Sequence, residues 1–416
     1  MNPLISVSSL LLSGTLLHVS GGLQGLLMPI RAQAEGFDVT SISLMGSTYA
    51  IGFLLGCLIA PRMIQRVGHA RAYTVVAAIA CVAVGWVGLW IDQWAWIVLR
   101  SLTGFAFASA ATVAESWLNE KANQHNRGTI FGYYTASNFI GLTLGHLLLT
   151  VVDPGQIDAF LIAAMLFAAA LIPTALTRSP LPQGVTAPRR PNFRLLKHSP
   201  VGALSVLIIG LGSSAFGTLA PVYTSEIGLS QSQTAGFMTV ALIAGALGQI
   251  PVGWWSDRGD RRRVLAVLSF ACALCACGFV VFQQPLYALQ LALAAALGAT
   301  LYTLYGITVA LVTDQIGADQ ALEIAGLMLI LFGTGAVLGP LLALPFKMMM
   351  GPAGLFGFIL LLHTLLAVAC MVRLKTSRVS PLPTTEFQVQ RPGAVSPLLG
   401  EATSPNGPEH RQEHAG

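Results

Sequence analysis

Gly253-Trp254-Trp255-Ser256-Asp257-Arg258-Gly259-Asp260-Arg261-Arg262-Arg263 sets two aspartates and four arginines between two long apolar runs. Only 9% of the residues are charged, so a knot this dense belongs where water and lipid headgroups can solvate it. It reads as a short turn joining two membrane helices. A worn copy, Pro61–Arg71, lies 192 residues earlier.

Composition supports that reading. Of 416 residues, 54% are hydrophobic and mean hydropathy is +0.71, whereas a soluble domain is roughly 25% charged. A globule could not bury this much apolar surface, so the solvent is lipid. The net charge of +5 does not point to nucleic acid, because the basic residues sit in turns between apolar runs rather than along one face. All six cysteines lie inside apolar runs. Cys272-x-x-Cys275-x-Cys277 has no His or carboxylate beside it, and no disulfide framework, metal site or cofactor is expected. The first apolar stretch, to about Met28, lacks a basic lead-in and is read as a span, not a cleaved signal.

Apolar runs of about 20 residues predict an all-α membrane protein with twelve helices at 5–29, 42–62, 73–91, 95–118, 128–151, 159–177, 201–224, 233–255, 264–283, 286–312, 322–346 and 353–373. These form an N-terminal bundle (1–177), a Pro- and Arg-rich linker (178–200), a C-terminal bundle (201–373) and a polar, Pro-rich tail (374–416) expected to be disordered. With the N-terminus inside, 19 of the 22 Lys and Arg fall in inner segments, against Arg31 and Lys347 outside and Arg100 within a helix. The bias predicts both termini cytoplasmic.

The halves are related. At an offset of 192, Gly25, Pro29, Gly36, Gly56, Arg66 and Arg71 fall on Gly217, Pro221, Gly228, Gly248, Arg258 and Arg263; at 194, Gly104, Gly132, Gly141 and Gly145 fall on Gly298, Gly326, Gly335 and Gly339. Two parallel six-helix repeats are the arrangement of transporters with an alternating-access site between them.

These residues resemble the major facilitator superfamily. Its turn pattern G-x-x-x-D-R-x-G-R-R is met by Gly253, Asp257, Arg258, Arg261 and Arg262, with Asp260 in place of a glycine. Its fourth-helix R-x-x-x-G is Arg100-Ser-Leu-Thr-Gly104, and its glycine-rich eleventh helix is Gly333-Thr-Gly335-Ala-Val-Leu-Gly339-Pro340. Glu115-Ser116, Asn126-Arg127-Gly128, Thr303-Leu304-Tyr305 and Leu338-Gly339-Pro340 are similar to the YcaD-type group. The resemblance implies a monomeric secondary transporter in a bacterial cytoplasmic (inner) membrane. It would move a small drug- or metabolite-like solute by alternating access, as proton-coupled export. The alternatives are an uncoupled facilitator or importer, and a transporter-like sensor without flux. No phosphate-binding G-x-x-x-x-G-K-[ST] loop occurs, and no paired catalytic groups lie at depth, so no enzymatic activity is expected.

Two sets of residues are candidates. For gating, Asp257 could face the N-terminal end of helix 5 near Asn126–Gly128, while Arg258, Arg261 and Arg262 have Asp314 within reach; such contacts would close the inner side. In the first half Gln65 lacks the charge, leaving Arg66 and Arg71 to pair with Glu115 or Glu120. For the substrate and proton pathway, Arg100 either snorkels outward or faces the interior and binds an anionic group or tunes a proton acceptor. Glu115, about 22 Å below it, is either a proton carrier or the partner of an arginine. His18 and His146 titrate near neutrality when unperturbed or serve as packing residues. Gln24, Asn138, Tyr302 and Tyr305 complete a polar set, the two tyrosines sharing a face at i, i+3.

Overall fold

The computed structural model describes residues 3–122, 126–175, 193–283, 286–317 and 320–376; they are mostly helical, with no strand among them. Twelve long helices follow one another: α1 Pro3–Ala34, α2 Val39–Val67, α3 His69–Leu89, α4 Gln93–Lys121, α5 Arg127–Leu148, α6 Asp158–Ala175, α7 Pro200–Glu226, α8 Gln231–Asp257, α9 Arg261–Val281, α10 Tyr287–Ile316, α11 Ala321–Met350 and α12 Gly354–Thr376. Lipid offers no hydrogen bonds, so each span must satisfy its own backbone, which a helix does. Ten stretches are long and apolar enough to cross a membrane, and the last, Glu323–Thr376, holds both α11 and α12. The remaining helix is α5, whose Tyr134, Asn138 and His146 are buried against protein.

Helix starts are written locally. Asp38 caps α2 by accepting from the Ser41 amide, and Ser230, its repeat counterpart, caps α8 in a reciprocal box with Gln233. The glycines before those caps, Gly36 and Gly228, take φ of 77° and 81°, a left-handed turn that suits glycine.

Two of the departures from the sequence expectation have a local cause. α1 continues through Pro29 to Ala34, because a proline inside a membrane helix is tolerated once neighbours cover the freed carbonyl. α10 is interrupted at Tyr302–Thr303. There the Thr303 hydroxyl donates to the Ala299 and Thr300 carbonyls, competing with the backbone ladder. Of the expected linker, only residues from 193 on are described, with a short 3-10 turn at Phe193–Lys197; most of the tail lies outside the described residues.

The duplication extends to individual packing contacts. A Cβ on Gly104 would strike the carbonyl of Tyr49, and one on Gly298 the carbonyl of Ala241, 192 residues on. Gly141 and Gly145 approach the carbonyls of Thr15 and Val19; Gly335 and Gly339 approach those of Leu207 and Leu211 in the same frame. Thus α2 packs on α4 as α8 packs on α10, and α1 on α5 as α7 on α11. Small residues permit backbone approach where no hydrophobic effect drives helices together.

Candidate functional site

Between the halves lies a cavity of about 220 Å³. α1 presents Gly21, Gln24, Gly25 and Met28 to it, the i, i+3, i+4, i+7 face of one helix. α2 adds Met45 and Tyr49, α4 adds Arg100, and α7 faces them with Ser214, Gly217 and Thr218. Gly25 and Gly217, repeat counterparts, have nothing within 4 Å of where a Cβ would stand; their missing side chains leave this space open.

Arg100 does not snorkel. It is 8% exposed, its Cζ lies 4.3 Å from the centre of the Tyr49 ring, and its Nε is buried without a hydrogen-bond partner. A buried arginine costs about 2.5–3.5 kcal/mol on insertion scales, and a desolvated cation–π contact returns about 2 kcal/mol. The balance is unfavourable until an acceptor arrives. The Gln24 Nε2 is likewise buried and unbonded, and no Asp, Glu or His lines the cavity.

The other expected pathway residues are not brought together here. His18 donates or accepts through Nδ1 at the Gly14 carbonyl, 2.7 Å away, and packs edge-on against Phe107. Asn138 and His146 are buried in α5 on the helix that packs against α1. Tyr302 meets Phe216 of α7, whereas Tyr305 meets Phe332 of α11. The shared tyrosine face is therefore not found, because the helix is broken between them. Glu115 is half-buried near the Lys121 end of α4.

At the end of the bundle away from the arginine turns, the halves close on each other. Gln231 Nε2 donates to the carbonyls of Leu149 and Val152, and Gly46 of α2 sits against the Thr218 side chain of α7. Nearer the arginine end, Gly132 of α5 and Gly326 of α11, repeat counterparts, have nothing within 4 Å of a Cβ position.

The opening turn forms a buried triad. Arg261 places Nη2 2.9 Å from Asp257 and Nη1 3.1 Å from Asp314, joining the end of α8, the start of α9 and the end of α10. The pairing of Arg261 with Asp314 is the one expected for an arginine of this turn, and as all three residues belong to one half it braces that half. Arg262 binds Asp260 through Nε and Nη2, and Arg258 lies over Trp254, 4.1 Å from its ring centre. In the first half Arg66 and Arg71 are exposed and pair with no acid among the described residues, against expectation. His69 stands there instead: its Nδ1 lies 3.4 Å from Glu120 without a hydrogen bond, its Nε2 is 3.0 Å from the Ser116 hydroxyl, and its ring stacks on Trp117. At the two offsets His69 corresponds to Arg261 and Glu120 to Asp314.

The sequence profile of the Major Facilitator Superfamily matches residues 10–340 and again 202–406. The chain belongs to the Major Facilitator Superfamily. Its relatives within that family include the "Uncharacterized MFS-type transporter YcaD" of Escherichia fergusonii, 27% identical over 334 residues, which cover 80% of this chain and 86% of that one. An "Uncharacterized MFS-type transporter" of Yersinia pestis is 28% identical over the same shares. Among solved structures, the nucleoside transporter NupG superposes with a TM-score of 0.74 at 13% identity, covering 90% of this chain and all of that one. A bacterial homologue of the lysosomal transporter Spinster, inward-facing and occupied, gives 0.69 at 16%, covering 92% of this chain and 100% of that one. The chain is thus a multi-pass membrane transporter with this superfamily's fold.

Set in that fold, three features escaped the sequence. Tyr49, Ser214 and Thr218 of the cavity are ordinary in apolar helices and carry no signal. His69 was not singled out beside Glu120, although the repeat offset places it opposite Arg261. His363 of α12 is fully buried with neither ring nitrogen bonded; as a lone titratable residue in an apolar run it carries the signal that singled out His18 and His146.

Proposed function

We propose that this transporter moves a small organic solute across the cytoplasmic membrane by rocking its two halves about the Arg100 cavity. The observation that carries the reading is a buried guanidinium whose Nε is unbonded, in a cavity lined from both halves, as in transporters of repeated topology, which bind between their repeats. The charge count supports an arginine-bearing end that is cytoplasmic with both termini. On that assignment the contacts of Gln231 and Gly46 close the outer side, and the conformation is inward-facing. Export, by antiport with protons, is the direction favoured by analogy with the family's exporters. His18, His146 and Glu115 are the titratable groups available to it, and Arg100 supplies the fixed charge of the binding step.

One observation favours a second reading. No group that titrates near neutral pH lines the cavity, which suits an uncoupled facilitator. Flux into proteoliposomes, with and without an imposed pH gradient, separates the two: exchange abolished by an uncoupler supports coupling, and saturable flux indifferent to it supports facilitation. Arg100→Ala is expected to insert normally and lose flux. Normal flux in that variant defeats the reading, and specific binding with no flux in the native chain leaves a sensor.

A further inference from the structure

The cavity is incomplete in one chemical respect, and that names the class of molecule it takes. We infer that the solute is a compact organic monoanion, a carboxylate or sulfonate on a short apolar body. This inference rests on the cavity being the transport site, as proposed above.

The charge comes first. Arg100 is the only charged side chain lining the cavity, and it forms no ion pair among the described residues. Tyr49 covers it with a ring face, which tempers the charge without filling an N–H. The Nε stays unbonded, and the fork of a guanidinium fits two oxygens held in a plane. One cation matches one anion. A dianion would leave a net negative charge in a low-dielectric space, and a cation would meet its own sign with no acid to offset it.

The remaining donors point the same way. Gln24 Nε2 is buried and unbonded. Ser214 and Thr218 stand at i, i+4 on α7. An oxyanion held by Arg100 and Gln24 from one half can accept from the hydroxyls of the other, so occupancy draws the two halves together at the closed end.

Size and polarity set the rest. At a liquid water's share of about 30 Å³, the cavity holds the volume of about seven waters. Met28, Met45, Pro29 and Ile42 furnish the apolar wall. A single small ring or a short branched chain bearing one acid group fits that space.

The test uses the purified full chain in nanodiscs and three probes of similar size: benzoate, benzyl alcohol and benzylamine, with benzenesulfonate as an anion that cannot cross the bilayer as a neutral acid. Calorimetric titration is expected to show saturable binding of benzoate and benzenesulfonate, tenfold or more tighter than benzylamine. Arg100→Ala is expected to remove at least tenfold of the anion affinity while leaving benzyl alcohol within threefold, and Gln24→Leu to weaken the anions three- to tenfold. Benzylamine binding as tightly as benzoate in the native chain overturns the inference without reference to any variant. So does the absence of saturable anion binding at millimolar concentration, or an Arg100→Ala chain that binds anions normally. Benzenesulfonate flux in proteoliposomes then separates this inference from the one beneath it. Arg100-dependent binding without flux upholds the anion site and defeats the transport reading. Flux of neutral or cationic solutes without anion preference upholds transport and defeats the anion class.

Discussion

Neutralising Asp314 should cost far more stability than neutralising Glu120, although the two hold equivalent places in the repeat. Asp314 has 4% of its side chain exposed and lies 3.1 Å from a guanidinium that is 2% exposed. Glu120 is 30% exposed and 3.4 Å from His69. Asp314→Asn keeps the shape and removes the charge from a buried, charge-assisted bond, a loss of about 1.5–3 kcal/mol. Asp257→Asn acts on a partner that is 32% exposed, so solvent screening holds its cost to about 0–1 kcal/mol. Together they leave Arg261 buried without either carboxylate, at about 3–5 kcal/mol, more than the singles add up to. Glu120→Gln stays within about 1 kcal/mol. The assay is equilibrium unfolding of the purified chain in a mixed-detergent titration at pH 7, followed by circular dichroism. Asp314→Asn and Glu120→Gln within about 0.5 kcal/mol of each other, or a double variant no worse than the sum, would refute the claim that Arg261 is the buried brace of its half.

Rebuilding the triad in the first half by Gln65→Asp with His69→Arg should stabilise that bundle by about 1 kcal/mol in the same titration; a net loss would mean that the His69 stack on Trp117 outweighs an ion pair. Gly104→Ala, which drives a Cβ against the Tyr49 carbonyl, should lose about 1–3 kcal/mol, whereas Gly25→Ala, facing open space, should fold normally and alter solute affinity; equal thermal stability for both contradicts the packing. Gln231→Ala removes two cross-half acceptors' donor, worth about 1 kcal/mol each, so spin labels at Val151 and Ser232 should show a wider population at that end, and an unchanged distance distribution refutes the contact's role. Asp38 titrates below the ordinary aspartate value because the Ser41 hydroxyl and amide hold its carboxylate. A depressed value means that the cap's contribution is full above the unfolded pKa and lost as pH falls through the folded one. Protection of the amides at the start of α2, relative to their intrinsic exchange rate, should therefore fall below about pH 4, while that at the Ser230-capped start of α8 does not change.

The fold could be read from the chain because its signals are linear: apolar run length, arginine placement and a constant offset all survive without knowing the third dimension. The site was legible where a residue's cost announced it. Arg100 stands alone as a charge in an apolar run, and Gln24 lies among glycines. What could not be read was depth along the helix. His18 stands seven residues before Gly25, about 20° away at about 100° per residue and so on the same stripe, yet short of the cavity, where its Nδ1 meets the Gly14 carbonyl and its ring packs on Phe107. Tyr302 and Tyr305 failed for a different reason, since their i, i+3 spacing presumes a helix that Thr303 interrupts. The His69–Glu120 pair was hidden by chemistry rather than geometry: aligning like with like placed Arg66 and Arg71 as the braces, while the offset pointed to a histidine.

The two halves have divided the labour of one ancestral design. Where the second half keeps Arg261 with Asp257 and Asp314, the first has His69 with Gln65 and Glu120. Where the first half carries Arg100 and Tyr49 into the cavity, the second has Ala294 and Ala241 at those offsets. The half with the strong buried brace thus supplies only hydroxyls to the cavity, and the half with the weak brace supplies its charge. A body that rocked as a unit, as proposed, would need its helices tied at the end that opens, and the Arg261 pairs with Asp257 and Asp314 tie α8, α9 and α10 there. The first half, without that triad, keeps the close backbone contacts of α2 on α4 through Gly52, Gly56 and Gly104, which α8 and α10 repeat through Gly245, Gly248 and Gly298. That packing brings Tyr49 to lie over Arg100. On the proposed reading, an anion bound at Arg100 would act on the helices whose packing already holds the half together, and so would couple occupancy of the cavity to the position of the first half.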